Sequence, residues 1–170
     1  MPAANVRLLV FDVDGVLTDG TIWLDADGRE NPRFSIRDGA ALVWLERAGL
    51  EAAFLSGRAS EAVARRAAQT GVKYVLQDAK VKTEALERLA AESGVPPAEM
   101  AYMGDDLLDL PVFRRVGLSA APANAVEEVR VVADFVASCE GGRGAARELI
   151  EHVLRVQGRW EAVVARYFES

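Results

Sequence analysis

The sequence predicts an α/β fold in which helices flank a central parallel sheet. From residue 38 onward, short apolar runs alternate with helical patterns, and this alternation is typical of parallel β-α-β winding. The first apolar run, VRLLVF at residues 6–11, is almost continuous, as expected of a strand that is covered on both faces. These two observations place the opening strand inside the sheet.

Composition narrows the class of protein. The chain has 170 residues, 51% of them hydrophobic and 27% charged, which fits a single globular domain over residues 1–170. The net charge of −6 argues against binding to nucleic acid. The lack of an apolar run of roughly 18 residues argues against a membrane partner. One cysteine, Cys139, and an N-terminus without a signal-peptide pattern predict a cytoplasmic protein.

The segment after the first strand differs from the rest. Residues 20–24 and 33–36 are two extended runs separated by the polar turn DADG at residues 25–28, so we predict a β-hairpin over about residues 18–37. An isolated ribbon is marginally stable in water. Because this one carries Trp23 and Phe34, we expect it to rest on the domain or on another subunit.

The remaining elements follow in order. We predict helices over residues 40–48, 60–69, 83–92 and 106–115, and strands over residues 52–55, 74–76, 101–103, 117–119 and 135–136. Apolar residues at helical spacing over 146–154 predict a further amphipathic helix. The tail, about residues 158–170, contains Trp160, Tyr167 and Phe168 and therefore has apolar surface to bury.

Reactive side chains follow four of the predicted strands. In chain order these residues are Asp12 and Asp14, then Ser56, Gly57 and Arg58, then Lys82, and finally Asp105, Asp106 and Asp109. Open α/β sheets bind ligands at the carboxyl ends of their strands. We therefore expect these side chains to converge on one edge of the sheet.

Clustered acids at that edge predict a metal ion. Asp12, Asp14 and Asp105 would repel one another unless a cation lay among them, and oxygen ligands with water suit Mg²⁺. Magnesium attracts phosphate, whose charge Lys82 and the amides near Ser56 would also offset. The pattern therefore predicts phosphoryl transfer with a carboxylate nucleophile.

Residues 11–20, FDVDGVLTDG, resemble the first motif of the haloacid dehalogenase superfamily of phosphatases, Asp-x-Asp-Gly-x-[Leu/Val]-Thr-Asp. The resemblance implies the Rossmann-like fold of that superfamily. It also implies that Asp12 forms an aspartyl-phosphate and that Asp14 protonates the leaving alcohol and then activates water. Ser56 and Lys82 become phosphate ligands, and Asp105 becomes a magnesium ligand beside Asp12 and the carbonyl of Asp14.

Two assignments within this resemblance stay open. Either Asp106 or Asp109 would orient the lysine or a metal-bound water. Lys80 lies two residues before Lys82, and we choose Lys82 because the helical pattern begins directly after it.

The spacing between the motifs leaves no room for a cap domain. Asp14 to Ser56 spans only the hairpin and one helix, and Ser56 to Lys82 spans one helix and one strand. The chain resembles the capless branch that contains the 3-deoxy-D-manno-octulosonate 8-phosphate (KDO 8-phosphate) phosphatases of lipopolysaccharide sugar synthesis. Its matching stretches are residues 34–39, 56–58, 102–109 and 141–148. This resemblance implies a homotetramer in which the hairpin and C-terminal segment of neighbouring subunits cover each site.

The implied substrate is a small phosphorylated sugar acid. Arg58 stands where the related nonulosonate 9-phosphate phosphatases have an acidic residue, and a guanidinium pairs well with a substrate carboxylate. The octulosonate substrate is therefore favoured and the nonulosonate is the alternative. Arg143 either contacts the substrate or belongs to a loop that caps the last helix.

Two other classes of protein share part of this pattern. A phosphorelay receiver domain places its phosphorylated aspartate after the third strand, where this chain has no plausible acceptor. A catalytically silent oligomerisation module would not need the intact pair Asp12 and Asp14. Both alternatives are disfavoured.

Overall fold

The computed structural model describes residues 2–168. It contains a six-stranded sheet in the order β3-β2-β1-β4-β5-β6, and every neighbouring pair is parallel. The strands are β1 (Leu8–Phe11), β2 (Glu51–Leu55), β3 (Tyr74–Leu76), β4 (Met100–Met103), β5 (Leu118–Ala121) and β6 (Phe135–Val136). The predicted parallel α/β fold is confirmed, and the described residues include no cap domain.

Helices cover both faces of this sheet. They are α1 (Ile36–Arg47), α2 (Glu61–Thr70), α3 (Lys82–Ser93), α4 (Leu110–Phe113), α5 (Glu127–Arg130), α6 (Ala145–Val156) and α7 (Trp160–Ala165). Within residues 2–168, none of the helices combines the length and the apolar character that crossing a membrane requires.

The core divides into two clusters because successive side chains of a strand point to opposite faces. Leu9 and Phe11 of β1 join the cluster formed with α1, α2 and α6. Leu8 and Val10 join the cluster formed with α3, α4 and α5. Since β1 lies between β2 and β4, the strand order reverses beside its carboxyl end, where α/β folds bind ligands.

The predicted hairpin over residues 18–37 is only partly formed. Its ladder is reduced to one antiparallel bridge, Leu24 with Glu30, supported by a 2.9 Å hydrogen bond from the Asn31 amide to the Trp23 carbonyl. Residues 33–36 form no returning strand, since α1 begins at Ile36 and not at residue 40. The reason is local: Ser35 caps the helix by accepting a 3.3 Å hydrogen bond from the Asp38 amide.

The C-terminal segment packs on α1, as its aromatic content suggested. Trp44 meets Trp160 edge to face at 5.7 Å, and its indole N–H donates a 2.7 Å hydrogen bond to the Tyr167 hydroxyl. Residues 160–165 are helical, which the sequence pattern did not indicate. Residues 169 and 170 of the predicted tail lie outside the described residues.

Candidate active site

A cleft of about 480 Å³ opens at the carboxyl ends of the central strands. Its lining includes Asp12, Asp14, Gly57, Arg58, Lys82, Asp105 and Asp106. The topology therefore brings together residues that lie up to 94 positions apart in the predicted motifs. Asp14 and Arg58 also line a smaller adjoining cavity, together with Ser56 and residues of the hairpin region.

A buried lysine ties the acids of this cleft to one another. Lys82 is the first residue of α3, and its Nζ lies 2.5 Å from Asp12 Oδ2 and 2.6 Å from Asp109 Oδ1. Burial alone would lower the pKa of Lys82, but the two carboxylates raise it overall. The ammonium is therefore charged and remains beside Asp12.

Lys80, the alternative lysine, is placed differently. Its side chain is exposed and donates a 2.7 Å hydrogen bond to the carbonyl of Gly57. Only Lys82 reaches the carboxylate of Asp12 within the described structure. The geometry supports the choice of Lys82, whose role toward phosphate stays a prediction.

Asp109 lies beneath the cleft and orients its neighbours. It is fully buried, and its Oδ1 accepts hydrogen bonds from Lys82 and from the Tyr102 hydroxyl, the latter at 2.6 Å. Its Oδ2 accepts from the amides of Asp105 and Asp106 at 2.9 and 3.1 Å. Between the two open candidates, Asp109 is therefore the one that contacts the lysine.

Asp106 has a separate local function. Its carboxylate accepts a 2.7 Å hydrogen bond from the Leu107 amide, which caps the 3-10 turn Leu107–Asp109. This turn precedes α4, so residues 106–115 form two short helical pieces and not the single helix that the sequence predicts. Pro111 has no amide hydrogen to bond back to the preceding turn, so α4 begins as a separate helix with Pro111 in its first turn.

The acids carry more negative charge than the lysine neutralises. Oxygen atoms of Asp12, Asp105 and Asp109 all lie within 4.8 Å of one another. Burial raises the pKa of Asp12 to about 7, against the opposing charge of Lys82. Burial, followed by the charges of Asp12 and Asp109, also raises the pKa of Asp105 to about 7. A divalent cation would relieve this repulsion.

The donor chemistry fits magnesium. Carboxylate and carbonyl oxygens are hard ligands of the kind that Mg²⁺ prefers. Each oxygen of Asp109 accepts two hydrogen bonds and Asp109 does not line the cleft, whereas each oxygen of Asp12 accepts one, and both Asp12 and Asp105 line the cleft. Asp109 thus supports the ligands, and Asp12 and Asp105 remain available to a metal ion.

The loop after β1, residues 12–19, passes unusually close to Asp105. Gly15 has a φ of +83°, and a Cβ at this position would lie 2.0 Å from Asp105 Oδ2. Any side chain here would therefore displace the carboxylate. The glycine of the DVDG motif is required by both the backbone conformation and the narrow space.

Two residues of the site were missed by sequence reasoning. Thr18 is buried, and its hydroxyl accepts hydrogen bonds from the amides of Gly15 and Gly20 at 3.3 Å each, which holds the loop after β1. Tyr102 lies in a fully buried strand and bonds to Asp109. A tyrosine inside a strand that is covered on both faces was the available signal, because its hydroxyl needs a buried partner.

Ser56 and Arg58 follow β2, which lies on the other side of β1 from the strand that precedes Asp105. Ser56 is buried, and its hydroxyl accepts a 3.2 Å hydrogen bond from the Arg58 amide. The Arg58 guanidinium pairs with Glu30, so it stands at the mouth of the cleft, where it is partly exposed.

Arg143 does not line the cleft. Its guanidinium lies 3.4 Å from Glu140 on the surface. The hydrogen bonds from Thr21 lower the pKa of Asp19, and Arg143 adds a small effect through its charge. Gly141 and Gly142 of the 141–144 segment instead pack against the loop after β1, and a role for Arg143 in substrate binding stays a prediction.

Comparison with known proteins identifies the family. Residues 67–149 match the profile of the haloacid dehalogenase-like hydrolases. The 3-deoxy-D-manno-octulosonate 8-phosphate phosphatase KdsC of Escherichia coli K12 is 40% identical over 157 residues, which cover 92% of this chain and 84% of the relative. The chain belongs to the haloacid dehalogenase-like hydrolase family.

Solved structures of other members of this haloacid dehalogenase-like family agree with the fold. The KDO 8-phosphate phosphatase of Moraxella catarrhalis, in complex with magnesium, phosphate and KDO, superposes with a TM-score of 0.95 at 36% identity and covers 98% of this chain and 95% of its own. The cobalt-bound deoxy-D-mannose-octulosonate 8-phosphate phosphatase of Haemophilus influenzae gives a TM-score of 0.91 at 39% identity, with 94% of each chain covered. The resemblance seen in the motifs is confirmed.

Proposed function

We propose that this chain is a magnesium-dependent phosphomonoester hydrolase that releases phosphate from KDO 8-phosphate. The observation that carries this proposal is the carboxylate of Asp12, buried at the end of β1 between Lys82 and a second acid with a raised pKa. Relatives that match most of this chain are KDO 8-phosphate phosphatases.

The reaction proceeds in two displacements at phosphorus. An oxygen of Asp12 attacks the phosphorus as the bond to the sugar oxygen breaks, and Asp14 gives its proton to that oxygen. Asp14 then takes a proton from a water molecule whose oxygen attacks the aspartyl-phosphate. Inorganic phosphate leaves, and the Asp12 carboxylate is regenerated.

Lys82 holds the nucleophile in place for both displacements. Its contact with Asp12 keeps the carboxylate at a fixed position, and its charge offsets that of the phosphate group. Asp109 and Tyr102 hold the lysine from below. Ser56 and the amides near Gly57 bind the phosphate oxygens from the end of β2.

Magnesium would be held by the carboxylates of Asp12 and Asp105 and by the main-chain carbonyl of Asp14. When bound, the ion supplies positive charge that neutralises the acids and the phosphate oxygens. The support for this site is its set of hard oxygen donors, the raised pKa values of Asp12 and Asp105 and the magnesium in the Moraxella relative.

Arg58 selects the sugar acid. It lines both the phosphate cleft and the adjoining cavity, so a substrate that places its phosphate at Asp12 can extend its carboxylate toward the guanidinium. A bidentate arginine–carboxylate contact favours an acid over a neutral sugar.

We also propose that the chain acts as a homotetramer in the cytoplasm. The hairpin region exposes Ile22, Trp23 and Leu24, with 53%, 61% and 64% of their surface accessible, and apolar patches of this kind mark contact surfaces. Without a cap domain, the subunits next to each cleft supply its cover. The single cysteine is compatible with a reducing compartment.

The deciding experiment compares specificity constants. The purified chain with Mg²⁺ receives KDO 8-phosphate, a nonulosonate 9-phosphate, hexose phosphates and an aryl phosphate, and phosphate release is measured. KDO 8-phosphate should give the highest kcat/KM. Asp12→Asn serves as the inactive control.

The outcomes of this experiment test the substrate and the reaction class separately. If the nonulosonate 9-phosphate is preferred, the substrate is wrong and the reaction class stands. If no phosphomonoester is hydrolysed at a rate above that of Asp12→Asn, the phosphatase function itself is wrong.

A further inference from the structure

Two of the motif stretches have no part in the chemistry described so far, and they meet at Asp38. Residues 34–39 begin α1, and residues 141–148 lead into α6. Asp38 is 2% exposed, and its Oδ1 accepts a 3.0 Å hydrogen bond from the Arg147 amide. Burial raises the pKa of this carboxyl group, and the nearby amides of Arg147 and Gly144 partly oppose that effect.

These contacts make Asp38 the cap of a helix to which it does not belong. The N-cap of α6 is Gly144, which has no side chain, so the first amides of α6 need an acceptor from elsewhere. Asp38 supplies it from α1. A carboxylate also interacts favourably with the positive end of a helix dipole.

The arrangement is costly for a purely structural cap. Asp38 Oδ2 is buried and has no hydrogen-bond partner within residues 2–168, and burial raises the pKa of this carboxyl group. Buried unsatisfied oxygens are rare in native proteins and call for an explanation. The explanation we offer is that the contact between Asp38 and α6 holds the loop that precedes this helix.

The glycine loop, residues 141–144, joins α6 directly to the loop after β1. The Gly142 amide donates a 2.8 Å hydrogen bond to the Val16 carbonyl. A Cβ on Gly141 would lie 1.7 Å from the Gly15 carbonyl oxygen, so the two backbones are in contact. Neither can shift without moving the other.

The contact continues to the acids of the cleft. Gly15 lies against Asp105, and the same loop carries Asp12 and Asp14 at its start. A displacement of the glycine loop would therefore reach the nucleophile, the general acid and a metal ligand together.

We propose that Asp38 is a positioning residue for the phosphatase reaction: by capping α6 it holds the glycine loop against the loop after β1 and so fixes Asp12 and Asp14. The effect on catalysis rests on the proposed function. The mechanical link between the two loops does not, and it can be measured separately.

The test combines kinetics with hydrogen–deuterium exchange below the unfolding temperature. Asp38→Ala should lower kcat about 10- to 100-fold, the range expected when an outer support of a metal or reacting group is lost. Exchange should become faster in residues 141–147 and also in residues 13–19. Asp38→Asn keeps an acceptor for the Arg147 amide and should restore kcat to within about twofold of the wild type.

A matched control removes a carboxylate that accepts an amide hydrogen bond elsewhere in the fold. Asp134 accepts hydrogen bonds from the amide and hydroxyl of Ser119 in β5 at 2.9 and 2.7 Å, and these bonds do not involve the loop after β1. Asp134→Ala should lower the unfolding temperature but leave kcat and exchange in residues 13–19 unchanged. If Asp38→Ala does not fold, Asp38→Ser replaces it, because serine is too short to reach the Arg147 amide.

Each outcome decides one point. Faster exchange confined to residues 141–147, with kcat unchanged, overturns the positioning role. Faster exchange in both loops with a lower kcat supports it. A wild-type chain without phosphatase activity ends the proposed function, while the exchange experiment still decides whether Asp38 couples the two loops.

Discussion

The side chain of Asp12 shows how single residues set the chemistry. Burial raises its pKa to about 7 and the ammonium of Lys82 opposes this shift. Asp105 shares the high pKa because it is buried near the same charges. The site thus holds two acids whose charged forms become stable once a cation is bound.

The first prediction concerns Asp12→Asn. An amide is not a nucleophile, so kcat should fall by at least about a thousandfold. The fold should survive, because the substitution removes a carboxylate whose charged form is disfavoured by burial while Lys82 keeps its contact with Asp109. Thermal unfolding in EDTA should occur at the wild-type temperature or above. Retained turnover would remove Asp12 from the mechanism.

A second prediction tests the close approach of Gly15 to Asp105. Gly15→Ala places a methyl group 2.0 Å from Asp105 Oδ2 and should raise the Mg²⁺ concentration needed for half-maximal activity. Gly94 provides the control: its φ of +68° is equally left-handed, but a Cβ there meets no described atom within 4 Å. Both alanines carry a backbone cost of about 1 kcal/mol, so similar magnesium dependence in the two variants would refute the steric argument.

At the scale of single residues, the sequence predicts the aspartates of the cleft better than the residues that hold them in place through hydrogen bonds. Asp12, Asp14 and Asp105 stand directly after strands, and strand ends converge in a parallel sheet. Tyr102 and Thr18 act through hydrogen bonds that close only when the loops fold. For Arg143 the sequence left two roles open, a substrate contact or a capping loop, and in the single chain its guanidinium lies near Glu140 on the surface.

At the scale of elements, local capping overrides longer patterns. The sequence of residues 33–36 fits an extended strand. Ser35 is nevertheless the N-cap of α1, because its hydroxyl accepts a hydrogen bond from the Asp38 amide. The periodic segments gave correct types for β1 to β6. Helix α5, four residues long, is too short to show a helical period, and α7 was missed because its apolar residues pack on α1 from the tail.

A third prediction follows from these caps. Ser35→Ala should lower the free energy of unfolding by about 1 kcal/mol, the usual value of a lost N-cap. Ser60 is the control, because it stands at the N-cap of α2 without a capping hydrogen bond from its side chain in the described chain. Ser60→Ala should cost clearly less. Denaturant titration of both variants measures the difference, and equal losses would contradict the capping argument.

For the whole molecule, the raised pKa values of Asp12 and Asp105 make the free energy of unfolding depend on pH and on magnesium binding. The pKa values of Asp12 and Asp105 rise from 3.8 to about 7 on folding, so between these values the folded state binds more protons than the unfolded state. The free energy of unfolding contributed by these two groups therefore falls as pH rises from about 4 to 7. Magnesium requires the deprotonated acids and offsets the loss above pH 7.

The fourth prediction is a pH-dependent stabilisation by magnesium. The increase in unfolding temperature on replacing EDTA with saturating MgCl₂ should be larger at about pH 8 than at about pH 6. Asp105→Asn removes one of the acids and should reduce the increase at both pH values. An equal increase at the two pH values in the wild type would show that metal binding does not depend on these carboxyl groups.

In the proposed homotetramer, the subunits meet through the exposed side of the hairpin region. Ile22, Trp23 and Leu24 leave more than half of their surfaces accessible in the single chain, and a ribbon with one bridge has little stability of its own. Burial of these side chains between subunits would stabilise both the ribbon and the tetramer, since the hydrophobic gain grows with the apolar area removed from water.

The fifth prediction tests this assembly by light scattering. The wild type should have about four times the chain mass of 18.4 kDa, and Trp23→Glu should give a smaller species, because a charge at a buried contact is strongly unfavourable. Val131, 71% exposed and outside the hairpin region, supplies the control: Val131→Glu should keep the wild-type mass. A smaller Trp23→Glu species should also show a higher KM, since the neighbours that cover each cleft are lost. If wild type and Trp23→Glu have the same mass, the hairpin region does not hold the subunits together, and the cleft must obtain its selectivity from its own residues.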